Sequence, residues 1–179
     1  MKKLEIGPGT APLAGYDSID CYKHHNPTYL IDITKDTTWG IPPETYDEVL
    51  AIHVLEHIAL NKVHLVFKNV HRILKTGGVF RVHVPNGPVI INAYIKFPEK
   101  RDTVQTCIYG CEAQEETKYD VAHKVLYDNN LLMAQFHKNK FTNVKEVTQD
   151  AFYMDRHDPY WEWMSDTDKF SLKIMGTKS

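Results

Sequence analysis

Hydrophobic positions in this chain come first in short extended runs and then in one long helical series. Lys2 to Ile6 is a brief apolar run that stops at Gly7-Pro8-Gly9, and further strand-like runs occupy Asp17–Asp20, Tyr29–Ile33 and Glu48–Val54. Within the last of these, Val49, Leu50, Ala51 and Ile52 are apolar without alternation, the pattern of a strand covered on both faces, so a central strand is expected there. From His57 to Lys75, Val63, Val66, Val70, Ile73 and Leu74 recur at helical spacing. Arg72 and Lys75 fall in the last turn of that helix, and Gly77-Gly78 supply the stop. Val79–Pro85 then reads as a strand, completing a strand, helix, strand crossover and a parallel pairing.

The second half is less regular. Asp128 is placed to cap a helix running to about Asn139, with Leu131, Leu132 and Phe136 on its apolar side, and strands follow near Val144–Val147 and Phe170–Met175. These elements predict an α/β, doubly wound, mostly parallel sheet with an antiparallel last strand, in a single domain spanning 1–179. With that topology the connection Thr148–Lys169 leaves and re-enters at the carboxyl edge of the sheet, and the mixed-pattern segment Asn86–Tyr127 leaves the preceding strand there too. Both are expected to act as lids, segments of about 86–127 and 148–169. Tyr153, Tyr160 and Trp161 in the later segment are the expected acceptor contacts, with packing of the lid onto the domain an equal reading.

Composition narrows the class. A length of 179 residues supports one core and is short for two. Lys and Arg total 21 against 23 for Asp and Glu, so the net charge of -2 gives no overall pull toward phosphate backbones and no nucleic-acid partner is expected. No apolar run approaches the roughly 20 residues of a membrane span, and Gly7-Pro8 interrupts the stretch a signal peptide would need. A cytoplasmic protein without a membrane partner is expected. Cys21, Cys107 and Cys111 make an odd count with no Cys-x-x-Cys pair, which suggests free thiols rather than a disulfide framework or a four-ligand zinc site.

The candidate chemistry begins at Leu4-Glu5-Ile6-Gly7-Pro8-Gly9, where a strand runs into a glycine turn that a ligand can approach closely. Asp20 ends the next strand, where a carboxylate can accept hydrogen bonds from a ribose diol, and Asp32 ends the one after. Ligands of open α/β sheets sit at the carboxyl ends of strands, which directs Gly7, Gly9, Asp20, Asp32 and His53 toward one pocket. His53 and His83 both stand near strand ends and are the candidate bases. His57 reads as part of the helix start, His64, His71 and His137 as surface positions, and His24-His25 as an exposed loop pair. A dinucleotide dehydrogenase is disfavoured, because Pro12 and Gly15 interrupt the helix that a Gly-x-Gly-x-x-Gly turn must open. There is no Gly-x-Ser-x-Gly elbow and no His-Glu-x-x-His signature, and Leu55-Glu56-His57 is not a metal motif by spacing, so no metal is expected.

The segments LEIGPG, SID, YLIDI, YDEVLAIHVLEHI and ILKTGGVFRVHVPN resemble the class I S-adenosylmethionine-dependent methyltransferases, in particular small members with a His-x-Leu-Glu-His signature. The resemblance covers about Lys3 to Asn86 and implies a Rossmann-like methyltransferase using S-adenosyl-L-methionine. It implies that Glu5, Gly7, Pro8 and Gly9 shape the pocket for the methionine part of the cofactor. Asp20 would hold the ribose, Asp32 and Ile33 would border the adenine, and His53 would lie beside the methyl-bearing centre. Ala11 and Pro12 stand where a third glycine is usual, and the short span from Gly9 to Asp20 leaves room for a loop or a single turn in place of a first helix. The expected acceptor is a small molecule or a saccharide, methylated at oxygen. The other reading is a non-catalytic module that kept the cofactor fold, or a partner subunit of a larger methyltransferase.

Overall fold

The fold is that of a computed structural model, which describes residues 1–35, 37–110, 122–147 and 170–179. Strands β1 (Lys3–Ile6), β2 (Asp17–Asp20), β3 (Tyr29–Leu30), β4 (Tyr46–Ile52), β5 (Leu74–Pro85), β6 (Phe141–Glu146) and β7 (Ser171–Lys178) form one seven-stranded sheet in the order β3-β2-β1-β4-β5-β7-β6. The strands from β3 to β5 pair in parallel, and β7 is antiparallel to both its neighbours, as the sequence pattern led us to expect. The apolar run Val49–Ile52 lies on β4 in the middle of the sheet, and all four residues are buried.

Register divides the sheet into two unlike faces. Leu4, Ile6, Ile19, Val49, Ala51, Phe80, Val82, Val84, Leu172 and Ile174 share the apolar face. Helix α1 (Leu60–Ile73) buries Val63, Val66, Phe67, Val70 and Ile73 against it, and α4 (Asn129–Lys138) adds Leu132 and Phe136. Phe67 is the hub of an aromatic cluster, meeting Phe80, Phe136 and Phe141 edge-on at ring-centre distances of 5.2, 5.0 and 6.0 Å. The opposite face carries Lys3, Glu5, Ser18, Asp20, Glu48, Arg81, His83 and Lys173, together with the buried Leu50 and Ile52 of β4. There Glu48 is ion-paired with Lys3 and Arg81 and accepts from the Tyr16 hydroxyl. Residues 7–16, which link β1 to β2, form turns and no helix, in keeping with the short span. Helices α2 (Gly87–Lys96) and α3 (Arg101–Tyr109) pack with Phe170 and Leu126 into a separate small cluster.

Several boundaries move from their expected places, each for a local reason. The helix expected to start at His57 begins at Leu60, preceded by a 3-10 turn at Leu55–His57 that buries Leu55 and Glu56. The strand β5 begins at Leu74 and runs through Gly77 and Gly78, with a register irregularity before regular pairing resumes at Val79. The run Tyr29–Ile33 pairs only through Leu30, because Asp32 Oδ1 accepts from both the amide and the hydroxyl of Thr34 and turns the chain out of the sheet. Asp128 caps α4 as the sequence indicates, its Oδ1 accepting from the Leu131 amide at 2.7 Å.

Candidate functional site

A cavity of about 540 Å³ opens at the carboxyl edge of the sheet, beyond the ends of β1, β2 and β4. Gly7, Gly9, Asp20, Asp32, Ile33 and His53 all line it, so six of the sequence-selected residues meet in one place. Gly7 has φ +65°, and a Cβ there would meet Val54 Cγ2 at 2.6 Å. Gly9 has φ +61° with nothing within 4 Å of an added Cβ, so the turn is left-handed and open toward the cavity. The turn is tied to its neighbours by the Gly7 amide, which donates to Ile19 O, and by the Gly9 amide, which reaches Asp20 Oδ2 at 3.3 Å.

Glu5 and Pro8 are not among the residues that line the cavity. Glu5 is fully buried, and its Oε2 accepts from the Leu13 amide at 2.9 Å, so it fastens the loop that stands in for a first helix. His83 is buried on β5 and does not line the cavity either; its carbonyl accepts from the His53 amide. Tyr153, Tyr160 and Trp161, with the rest of the 148–169 segment, lie outside the described residues, as does Cys111. The segment's neighbours Val147 and Phe170 sit at the carboxyl edge, where the Val147 amide donates to Lys173 O and Phe170 O accepts from the Asn86 amide. The earlier segment contributes Lys124 to the lining.

Asp20 is 6% exposed and accepts from the Tyr22 amide at 2.9 Å, while His25 Nδ1 lies 2.9 Å from its Oδ2. The expected exposure of the His24-His25 pair therefore holds only for His24, since His25 is drawn in by Asp20 and lines the cavity. His71 is likewise only part-exposed, its ring packed edge-on against Phe141. Cys21, Tyr22, Thr34, Val54 and Ile58 complete much of the wall. Nothing in residue type or spacing marks them; they are found only because the strand ends converge. Burial and the nearby charges of Asp20 and Asp32 push the Cys21 thiol up to about 11. Burial works against ionisation of Asp32, but bonds from Thr34 and the charge of Lys35 outweigh it and hold its carboxyl below the usual value.

His53, at φ +52°, follows the last residue of β4 and projects over the edge. Its Nδ1 lies 3.2 Å from Glu56 Oε1, and its Nε2 lies 3.1 Å from Ser171 Oγ at the start of β7. Glu56 is 1% exposed. Burial alone would raise its carboxyl, yet the hydrogen bond from His53 and the charges of His53 and His57 hold it below the usual value. The Glu56 carbonyl accepts from the amides of both Lys124 and Val125, which fixes the 122–125 stretch across the turn and brings His123 beside His57 at a ring-centre distance of 4.8 Å.

Residues 23–82 match the family described as Methyltransferase domain. Over 65 residues the chain is 37% identical to the Homo sapiens tRNA N(3)-cytidine methyltransferase METTL6, a match that covers 31% of this chain and 23% of that relative's length. Among solved structures, a SAM-dependent methyltransferase of Thermotoga maritima, a possible histamine N-methyltransferase, aligns with a TM-score of 0.61 at 16% identity, covering 99% of this chain and 82% of its own. Phosphoethanolamine N-methyltransferase 2 of Haemonchus contortus, solved with S-adenosyl-L-methionine, aligns with a TM-score of 0.55 at 13% identity, covering 99% of this chain and 48% of its own.

Proposed function

We propose that this chain, by family and fold a class I S-adenosylmethionine-dependent methyltransferase, holds its cofactor in the carboxyl-edge cavity and delivers the methyl group to an oxygen of a small-molecule or saccharide acceptor. The carrying observation is the convergence of the open Gly7–Gly9 turn, the Asp20 carboxylate and the Asp32–Ile33 bend on one cavity. The donor set suits the cofactor: a carboxylate for a diol, apolar Ile31, Ile33 and Ile58 for an aromatic base, and a volume within the roughly 300–1,000 Å³ of small-molecule sites. In this reading Gly7 and Gly9 let the backbone approach the methionine part, Asp20 accepts from the ribose hydroxyls, and Asp32 and Ile33 border the adenine. Glu5 and Pro8 shape that region from behind, through the Glu5 bond to Leu13.

When bound, the cofactor supplies an electrophilic methyl group, so the chain's own task is to align a nucleophile and exclude water. His53 borders the cavity and is the residue on hand to take a proton from an acceptor hydroxyl, at the Nε2 atom it now shares with Ser171. The segments 86–127 and 148–169 are proposed to close the acceptor side, with Tyr153, Tyr160 and Trp161 in contact with the acceptor. A second reading is a nucleobase nitrogen as acceptor, favoured by the name of the human relative, a tRNA methyltransferase; the net charge of -2 weighs against it.

Calorimetric titration with S-adenosylhomocysteine and with NAD tests the cofactor assignment: binding of the former and none of the latter is expected, and the reverse would overturn it. Turnover to S-adenosylhomocysteine with hydroxylated saccharides but not with tRNA is expected, and the opposite preference would establish the second reading.

A further inference from the structure

We propose that Glu56, His57 and His123 form a binding site for a divalent transition-metal ion, such as zinc, at the wall of the cavity. The three side chains each present one ligand atom, and these atoms lie within 4.8 Å of one another. Two histidines and one carboxylate form a donor set typical of zinc and other divalent transition metals. Spacing alone conceals it, because Glu56 and His57 are adjacent on the 3-10 turn while His123 arrives from the far end of the 86–127 segment.

Three further observations point to a ligand rather than to a satisfied polar core. Glu56 Oε2 is buried with no hydrogen-bond partner, although its carboxylate is 1% exposed, and His57 Nδ1 is buried and equally without one. Such atoms are costly to bury unless something completes them. Two of the three donors, Glu56 and His123, are also held in place by an outer partner. Glu56 Oε1 is engaged by His53 Nδ1 at 3.2 Å, which leaves Oε2 for the ion. His123 Nδ1 lies 2.9 Å from Cys107 O, which leaves Nε2 to ligate. Carbonyls and carboxylates bonded to the far nitrogen of a ligating histidine are the usual means of orienting it. Finally, His57 itself lines the cavity, and three protein ligands leave coordination positions for water or a ligand's oxygen, the arrangement of an open site.

Because the site is built without the cofactor, it is tested without one. Purified full chain, stripped of metal by a chelator, is titrated with zinc chloride in the calorimeter and its bound metal counted by elemental analysis. One zinc per chain is expected, with a rise in Tm. His123→Gln, and separately His57→Gln, should weaken zinc at least tenfold while each metal-free variant keeps the circular dichroism of the parent. His53→Gln, which removes only an outer partner, should cost ten- to a hundredfold. His24→Ala, at an exposed ring that is neither one of the three donors nor an outer partner of one, should change nothing. A metal-free parent that takes up no stoichiometric zinc overturns the proposal, as does zinc affinity that survives loss of His57 and His123 or disappears with His24. Loss of zinc binding with intact binding of S-adenosylhomocysteine would leave the cofactor reading untouched, so the two fail separately.

Discussion

In Asp20 a single carboxylate gathers the amides of Gly9 and Tyr22 and the ring of His25. Hydrogen bonds to a charged group are worth roughly 1.5–3 kcal/mol, so Asp20→Ala should weaken S-adenosylhomocysteine about ten- to a hundredfold by calorimetry while the chain still folds. Unchanged affinity in a folded variant would reduce Asp20 to a fastener of the glycine turn. The neighbouring thiol reports the same carboxylate by another route. With Cys21 pushed up to about 11, only about one thiol in a thousand is ionised at pH 8, and iodoacetamide should label it far more slowly in the native chain than in urea. Asp20→Asn removes one of the charges that raise it, so labelling of Cys21, followed by peptide mass spectrometry, should speed up. Both residues also show what sequence can and cannot reveal at this scale. Asp20 stands at a strand end after a glycine turn and is legible; Cys21 and His25 enter the site only through the bend that follows, which no pattern announces.

Elements governed by periodicity or by a cap were the legible ones. The α1 spacing and the Asp128 cap of α4 appear in the structure because burial and one hydrogen bond decide them locally. Asp128→Ala should therefore cost about 1 kcal/mol in urea denaturation, with a range of about 0.5–2, and an unchanged midpoint would mean that packing of Leu132 and Phe136 alone sets the helix. The strand β3 is shorter than the run Tyr29–Ile33 suggests: β-branched Ile31 and Ile33 favour extension, whereas Asp32 turns its side chain to Thr34 and ends the pairing. That truncation is what delivers Asp32 and Ile33 to the cavity instead of to the sheet. Helices α2 and α3 were illegible for a different reason: their apolar residues serve a small satellite cluster, so no single stripe dominates.

At the scale of the whole molecule the two sheet faces divide the labour. One is an aromatic and aliphatic core centred on Phe67, where Phe67→Ala should cost about 3–5 kcal/mol and lower Tm sharply, as followed by thermal unfolding. The other is polar and ion-paired around Glu48, which is why the chain can cross it with a turn in place of a helix. The pH dependence of stability draws on the first. His71 is held below its ordinary value by burial and by the positive charges of Lys178 and Lys140. Its unfolded form therefore binds a proton more readily, so the contribution is complete above about pH 6.5 and is lost as the pH falls below it. His71→Gln should flatten the fall of Tm between pH 7 and 5.5; an unaltered slope would assign that fall to other groups. The double amide bond to the Glu56 carbonyl has a consequence in time rather than in energy. It joins a turn after β4 to a stretch that the chain reaches only after β5, α2 and α3, so the loop it closes is long and its closure belongs late in folding. By the same token it is cheap to reopen, and the amides of Lys124 and Val125 should exchange with deuterium well before those of β4, so that this wall of the cavity parts while the sheet beneath it stays shut.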